Sequence, residues 1–310
     1  MAHLLVVESW VGSMSRLLPR AIQEGGHSFT FLTRDLHHYL RTAPEGAAHP
    51  LLGARDMVTA DTNDPDSEIV DRPAVRGGWQ AARLARLREL LAELPGAYWP
   101  DQYNNPGNSA GYASLAAELA VQLDHLDILV CSVGTGGHSA GIVGPLRRHW
   151  PGLRLIGVDA TGSTIFGQPA RPRLMRGLGS SIHPRNVRHD AFDEVHWVGP
   201  AEAVDTCRRL ASESFVSGGW STGAAARVAA WAARVHPGAV VATVFPDGPH
   251  RYLGTVYDDD FAAAHGLDLA AAATRPVEIP HPRAAEATGW VRCARVSDPL
   301  KTAPPAGRNP

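Results

Sequence analysis

One lysine, Lys301, stands near the C-terminal end of 310 residues, although lysine and arginine together number 29. Any chemistry that needs a lysine amine, such as a Schiff base, has that single candidate within the chain. High alanine, glycine, proline and arginine content fits a GC-rich coding bias, which accounts for part of the scarcity. Cysteine is also sparse. Cys131, Cys207 and Cys293 are too few and too far apart for a disulfide framework. Residues 1–9 lack a basic region and a cleavage site, so the expected compartment is a reducing cytoplasm. No apolar run reaches the roughly 18–20 residues needed to span a bilayer. An excess of one charge is missing too. With 29 basic and 31 acidic side chains the net charge is -2, which gives no general pull on nucleic acid or anionic membranes. Neither H-E-x-x-H nor clustered Cys/His spacing occurs, so no metal site is expected.

What is present is core-forming. Hydrophobic residues make up 44% and charged residues 19%, which suits a packed globular chain. His3–Glu8, Phe29–Thr33 and the MVTA run within Leu51–Asp61 read as strands, with a helix over Arg16–Glu24 stopped by Gly25-Gly26. This is an N-terminal βαβ unit. Asp61–Pro73 is polar, carries two prolines and reads as a linker. Gly78–Leu94 has helical periodicity, and Pro95–Asn108 reads as a long ordered loop. Helices over Ser109–Leu123, His138–Trp150, Pro200–Glu213 and Ser221–Val235 then alternate with strands over Ile128–Val133, Leu153–Val158, Glu194–Val198 and Ala239–Phe245. That alternation predicts an α/β fold with a doubly wound, mostly parallel sheet. The stretch after Leu269 is Pro-rich and reads as irregular.

Two motifs carry chemistry. Val130–Gly141 (VCSVGTGGHSAG) ends a buried strand, turns on glycines and opens a helix. Such a turn brings N–H groups near a ligand, and the helix N-terminus adds partial positive charge. The combination suits a phosphate, or else is simply a tight strand–helix connection. It is neither a Walker loop nor a GxGxxG fingerprint. Gly219–Gly223 (GWSTG) matches G-x-S-x-G, and Asp247 with His250, His265 or His281 follows in α/β-hydrolase order. A hydrolase elbow needs a strong apolar strand before the serine, whereas Ser212–Gly219 is polar, so a serine hydrolase using Ser221 is kept only as an alternative.

Five stretches in order resemble one family. Asp101–Asn108 (DQYNNPGN) is similar to its Q-[FY]-x-N-P-x-N stretch, and Gly134–Gly141 (GTGGHSAG) to its GTGGT loop. Arg176–Pro184 (RGLGSSIHP) resembles a G-[IL]-G-x-x-x-x-P stretch, Gly219–Ala226 (GWSTGAAA) a G-x-S-[SG]-G-A stretch, and Val244–Thr255 (VFPDGPHRYLGT) an FPDxGxRYLST stretch. The family is that of the fold-type II pyridoxal-phosphate enzymes, in the cysteine synthase branch, and the likeness covers roughly residues 75–262. It implies the large-domain fold of those enzymes, pyridoxal 5'-phosphate as cofactor and a small amino acid as substrate, with β-elimination or β-replacement as the reaction. It implies that Gly134, Thr135, Gly136, Gly137 and His138 hold the cofactor phosphate, with His138 in place of the family's last threonine. It implies that Ser221 meets the pyridine nitrogen, where a neutral hydroxyl suits this reaction class.

The family's lysine-bearing S-x-K-x-R-like motif and its T-S-G-N-T-G-like loop are absent, and residues 1–74 hold no lysine. The cofactor is therefore expected to bind without a covalent link, and no catalytic residue is assigned. A non-catalytic remnant that binds phosphate, cofactor or a partner is the second alternative. His3–Ser15, Phe31–Asp35 and His49–Asp61 resemble instead the opening domain of ATP-grasp ligases. The expected organisation is an ATP-grasp-like unit over residues 1–70, a cysteine synthase-like domain over 75–268 and a Pro-rich tail over 269–310. The expected partners are a small amino acid and either a second copy of the chain or a full-length enzyme on which it docks. Neither nucleic acid nor membrane is expected.

Overall fold

The computed structural model describes residues 3–8, 28–33, 56–59, 72–93 and 97–301. The chain divides into two compact units, Met1–Pro100 and Asp101–Pro310. In the first, β1 (His3–Glu8), β2 (Ser28–Thr33), β3 (Asp56–Thr59) and β4 (Ala97–Tyr98) form a sheet in the order β3-β2-β1-β4. All its pairings are parallel, and α1 spans Gly78–Glu93. The helix expected over Arg16–Glu24 lies outside the described residues, as do most of His3–Ser15 and His49–Asp61 and the end of Phe31–Asp35, the stretches that resemble ATP-grasp ligases.

The second unit opens with α2 (Pro106–Ala110) and α3 (Ala113–Gln122). Then come β5 (Ile128–Ser132), α4 (Gly137–His149), β6 (Arg154–Ala160) and β7 (Glu194–Val198). After β7 the chain forms α5 (Pro200–Ser214), α6 (Trp220–Val235), β8 (Val241–Thr243) and α7 (Asp259–Ala264). It ends with β9 (Val277–Glu278) and β10 (Val291–Cys293). The six strands stand in the order β8-β5-β6-β7-β10-β9. The pairings are parallel except β10 against β7.

Strand periodicity explains why helices cover both faces. Successive side chains of β5 point to opposite sides. Leu129 and Cys131 join Leu155, Val195 and Trp197 in a core beneath α3 and α4, with Ile142, Val143 and Leu146. Ile128 and Val130 join Ile156, Val158 and Val198 in a second core beneath α5 and α6, with Val204, Trp220 and Val228. A strand buried on both faces must be apolar at every position, which is why Ile128–Ser132 shows no alternation. β5 runs on to β6 on one side and pairs with β8 on the other, so the strand order reverses beside it. In open parallel sheets, ligands sit at such a switch point, beyond the carboxyl ends of the strands.

The structure corrects two expectations. The helix expected over Ser109–Leu123 is two helices, the first of which begins earlier. Asn105 caps that first helix, its Oδ1 accepting from Gly107 N at 2.8 Å with Pro106 at the first helical position, so Ser109 lies inside α2. The stretch after Leu269 is not wholly irregular. β9 and β10 extend the sheet, and Ile279, Trp290, Val291 and Cys293 are buried. Strands of two and three residues are too short for any hydrophobic period to register.

Candidate functional site

The glycine loop sits at the switch point. Val133 N–H bonds to Val158 O (2.8 Å) and Gly179 N–H bonds to Val133 O (2.8 Å), which hold the end of β5 between its neighbours. Gly136 follows with φ +84, and a Cβ there would lie 2.6 Å from the Val187 nitrogen, so only glycine fits. Gly137 opens α4, and a Cβ on it would stand 2.2 Å from Asn108 Oδ1. The glycines thus let the Val187 backbone and the Asn108 side chain pack directly on the turn where the helix begins.

A clasp built from the N-P-x-N stretch keeps this loop in place. Asn108 Nδ2 donates to Gln102 O at 2.6 Å and to Thr135 Oγ1 at 3.2 Å. Thr135 Oγ1 in turn accepts from Gly137 N at 3.4 Å. Behind the turn, Asn186 Nδ2 donates to Gln102 O and Asn105 O, each at 3.0 Å. Sequence reasoning picked out the motif but assigned these two asparagines no role, because the contacts join residues far apart in the chain.

His138 follows Gly137 in the first turn of α4. Its Nε2 is buried and has no hydrogen-bond partner among the described residues, while its ring lies 6.0 Å from that of Tyr112. Burial pushes its pKa down to about 4, so it is neutral near pH 7 and able to donate one N–H.

Ser221 belongs to the neighbouring wall. Gly177 lies between, since a Cβ on Gly134 would be 3.6 Å from Gly177 O and one on Gly177 would be 3.4 Å from Ser221 Oγ. Ser221 is 0% exposed, and its Oγ has no partner among the described residues. A buried hydroxyl without a partner costs about 1–3 kcal/mol, which a ligand acceptor or donor would recover. The α6 start is fixed from behind. Gly219 N donates to Asp247 Oδ1 at 3.3 Å, Tyr252 OH donates to Asp247 Oδ2, and the Cys207 thiol lies 3.1 Å from Gly219 O. The third side is the carboxyl end of β6, where Asp159 is wholly buried and accepts from Ala160 N at 2.8 Å. Burial raises its pKa to about 7 against the pull of Ser163, the Ala160 N–H and Arg173.

This geometry removes the hydrolase alternative. A nucleophile elbow joins a strand to a helix, but the element before α6 is α5. Asp247 is spent on Gly219 and Tyr252, and no histidine meets Ser221 among the described residues.

The site tests positively for the non-covalent half of pyridoxal phosphate. A glycine turn with a hydroxyl and a neutral imidazole suits a phosphate, and an unpartnered buried hydroxyl suits a ring nitrogen. It offers no amine for the aldehyde. Lys301 is 84% exposed and pairs with Asp298 at 3.7 Å, on a turn closed by Lys301 N to Asp298 O.

A mostly parallel sheet with a glycine turn at its switch point and a buried, unpartnered hydroxyl beside it defines an α/β protein with a candidate ligand site there. More narrowly, the chain belongs to the family described as "Pyridoxal-phosphate dependent enzyme", which matches residues 66–247. It is 37% identical over 220 residues to an N-(2-amino-2-carboxyethyl)-L-glutamate synthase of Ralstonia nicotianae, covering 69% of this chain and 65% of the relative. It is 40% identical over 196 residues to the protein of the same name from Cupriavidus metallidurans, covering 61% and 57%. The chain thus spans less than two thirds of the length of these curated relatives. Among solved structures, it is similar to an O-acetylserine dependent cystathionine beta-synthase from Helicobacter pylori. The TM-score is 0.65 at 26% identity, covering 81% of this chain and 77% of that one. The fold is that of the cysteine synthase-like members of the family. Among the described residues, no helix is long and apolar enough to cross a membrane.

Proposed function

We propose that the chain holds pyridoxal phosphate at the glycine loop and serves a β-elimination or β-replacement reaction of the cysteine synthase type on a small amino acid. The buried, unpartnered Ser221 hydroxyl, set across Gly177 from the loop, carries this reading. The N–H groups of Gly134, Gly136 and Gly137, the Thr135 hydroxyl and the neutral His138 ring supply donors to the phosphate. Ser221 Oγ bonds the ring nitrogen without adding charge, and Asp247 and Tyr252 keep the first turn of α6 from shifting. When bound, the cofactor supplies an electron sink for bonds at the α-carbon of an amino acid. The names of the relatives support a substrate of the O-acetylserine kind.

Titration with pyridoxal phosphate, followed by tryptophan fluorescence, tests the site. Saturable quenching is expected, weakened roughly five- to tenfold in Ser221→Ala, in keeping with a lost hydrogen bond worth about 1 kcal/mol. A protein that does not bind the cofactor would sink the reading. The missing lysine favours a second reading, a binding protein without turnover. Incubation with O-acetylserine and a nucleophilic acceptor separates the two: release of acetate supports the enzyme, and cofactor binding without release supports the binding role.

Three further readings go with this proposal: residues 1–70 as an ATP-grasp-like α/β unit, a cytoplasmic location, and assembly as a homodimer or on a full-length enzyme. Light scattering of the purified protein checks the assembly.

A further inference from the structure

A pyridoxal-phosphate site normally distinguishes the aldehyde from other forms of the cofactor, because a lysine amine reacts with it. Among the described residues, no amine is free at the glycine loop to make that distinction. Of 310 residues one is lysine, and its Nζ pairs with Asp298 on an exposed turn. What the site does present is a glycine turn at a helix N-terminus, Thr135, and the unpartnered His138 Nε2 and Ser221 Oγ. All of these address the phosphate and the ring and leave the carbonyl carbon unread.

Resting on the proposed cofactor reading, we infer that this site is blind to the aldehyde. Its ligand class is the phosphorylated pyridine as such: pyridoxal phosphate, pyridoxamine phosphate, and the preformed adduct of the cofactor with a small amino acid. A lysine-bearing site must exchange a covalent link before it releases or accepts such an adduct. This one would take it up and release it whole. Ser221 supports the assignment to a ring as well as a phosphate, since its Oγ is fully buried and unpartnered although it lies outside the glycine loop.

The test is calorimetric titration of the purified chain with pyridoxal phosphate, pyridoxamine phosphate, unphosphorylated pyridoxal and inorganic phosphate. The two phosphorylated pyridines are expected to bind within about threefold of each other, with pyridoxal weaker by about tenfold or more. Ser221→Ala should weaken both phosphorylated pyridines to the same degree and leave inorganic phosphate unchanged. Borohydride treatment of Lys301→Arg loaded with pyridoxal phosphate should fix no stoichiometric adduct. Lys301→Arg, at an exposed position that leaves the fold intact, should leave all affinities where they were. A preference for pyridoxal phosphate over pyridoxamine phosphate above about tenfold, or a loss of affinity for pyridoxal phosphate alone in Lys301→Arg, overturns the inference while leaving the cofactor reading in place. If no phosphorylated pyridine binds, the cofactor reading itself fails and this inference falls with it.

Discussion

At the scale of single residues, His138 gives the sharpest prediction. Its folded pKa of about 4 lies below the ordinary value of 6.5 because burial disfavours the charged ring. The folded state therefore binds fewer protons than the unfolded state between these values, and the contribution of His138 to stability falls as pH drops from about 6.5 to about 4. Asp159 has the opposite slope. Its carboxyl is raised to about 7 by burial, so its contribution falls as pH rises from 3.8 toward 7. The two partly cancel in the native protein, and only a variant separates them. His138→Gln should gain stability relative to the native protein as pH falls from 6.5 to 4, with the difference constant above pH 7. Urea unfolding at several pH values measures this, and parallel profiles would show that His138 does not titrate as described. Phosphate binding should raise the His138 pKa, so saturating pyridoxal phosphate should shift the native profile toward the charged ring.

At the scale of elements, the site is three loops pinned to the carboxyl ends of β5, β6 and the start of α6. One of its close joints is α4 against α2. Gly137 and Gly141 lie one above the other on that face, and a Cβ on Gly141 would come 2.1 Å from Ser109 O. Gly136→Ala should cost roughly 2–5 kcal/mol, since it strains a positive φ and strikes the Val187 backbone, which is not free to yield. Asn108→Ala should cost less, about 1–2 kcal/mol, but should weaken phosphate binding because Thr135 loses its clasp. Thermal denaturation and cofactor titration of the two variants distinguish damage to the fold from damage to the loop. Much of this was legible in the sequence. An unbroken apolar strand, three glycines and a helix foretold the loop, because local backbone chemistry dictates each part. The clasp was not legible, because the bonds from Asn108 to Thr135 and from Asn186 to Gln102 and Asn105 join residues distant in sequence. Asp247 could be read as an acid in a triad until the structure showed its carboxylate receiving the Gly219 N–H and the Tyr252 hydroxyl.

At the scale of the whole second unit, the last strands complete both cores at the end of the sheet opposite β8. β10 pairs with β7, and Trp290 Nε1 donates to His196 Nδ1 at 3.0 Å. That bond leaves the histidine proton on Nε2, which lies 2.7 Å from Glu194 Oε1. Arg292 closes the group on Glu194 Oε2 at 2.7 Å. Burial alone would raise the Glu194 carboxyl, but the His196 and Arg292 bonds outweigh it and hold it down to about 2. None of this could be read from a Pro-rich stretch whose strands are three residues or fewer, since the pairing is antiparallel and reaches back about a hundred positions. A chain ending at residue 268 should therefore fail to form the second unit. It would remove Arg292 from Glu194, leaving Arg154 and His196 as its partners, and would uncover Trp197 and Val198 on the strand that β10 covers. Limited proteolysis and near-ultraviolet circular dichroism would show this, and a truncated chain with native spectra would refute it. Trp290→Phe isolates the polar part of the same argument. It keeps most of the apolar volume, removes the donor to Nδ1 and should cost about 1–3 kcal/mol at neutral pH. His196, whose pKa is lowered by burial in the native protein, would then be free to take a second proton beside Glu194. Its folded pKa should rise, so the stability gap between variant and native protein should narrow as pH falls below the ordinary histidine value. A gap that stays constant or widens with acid would mean that Trp290 supports the sheet by packing alone and does not set the charge of the histidine beneath it.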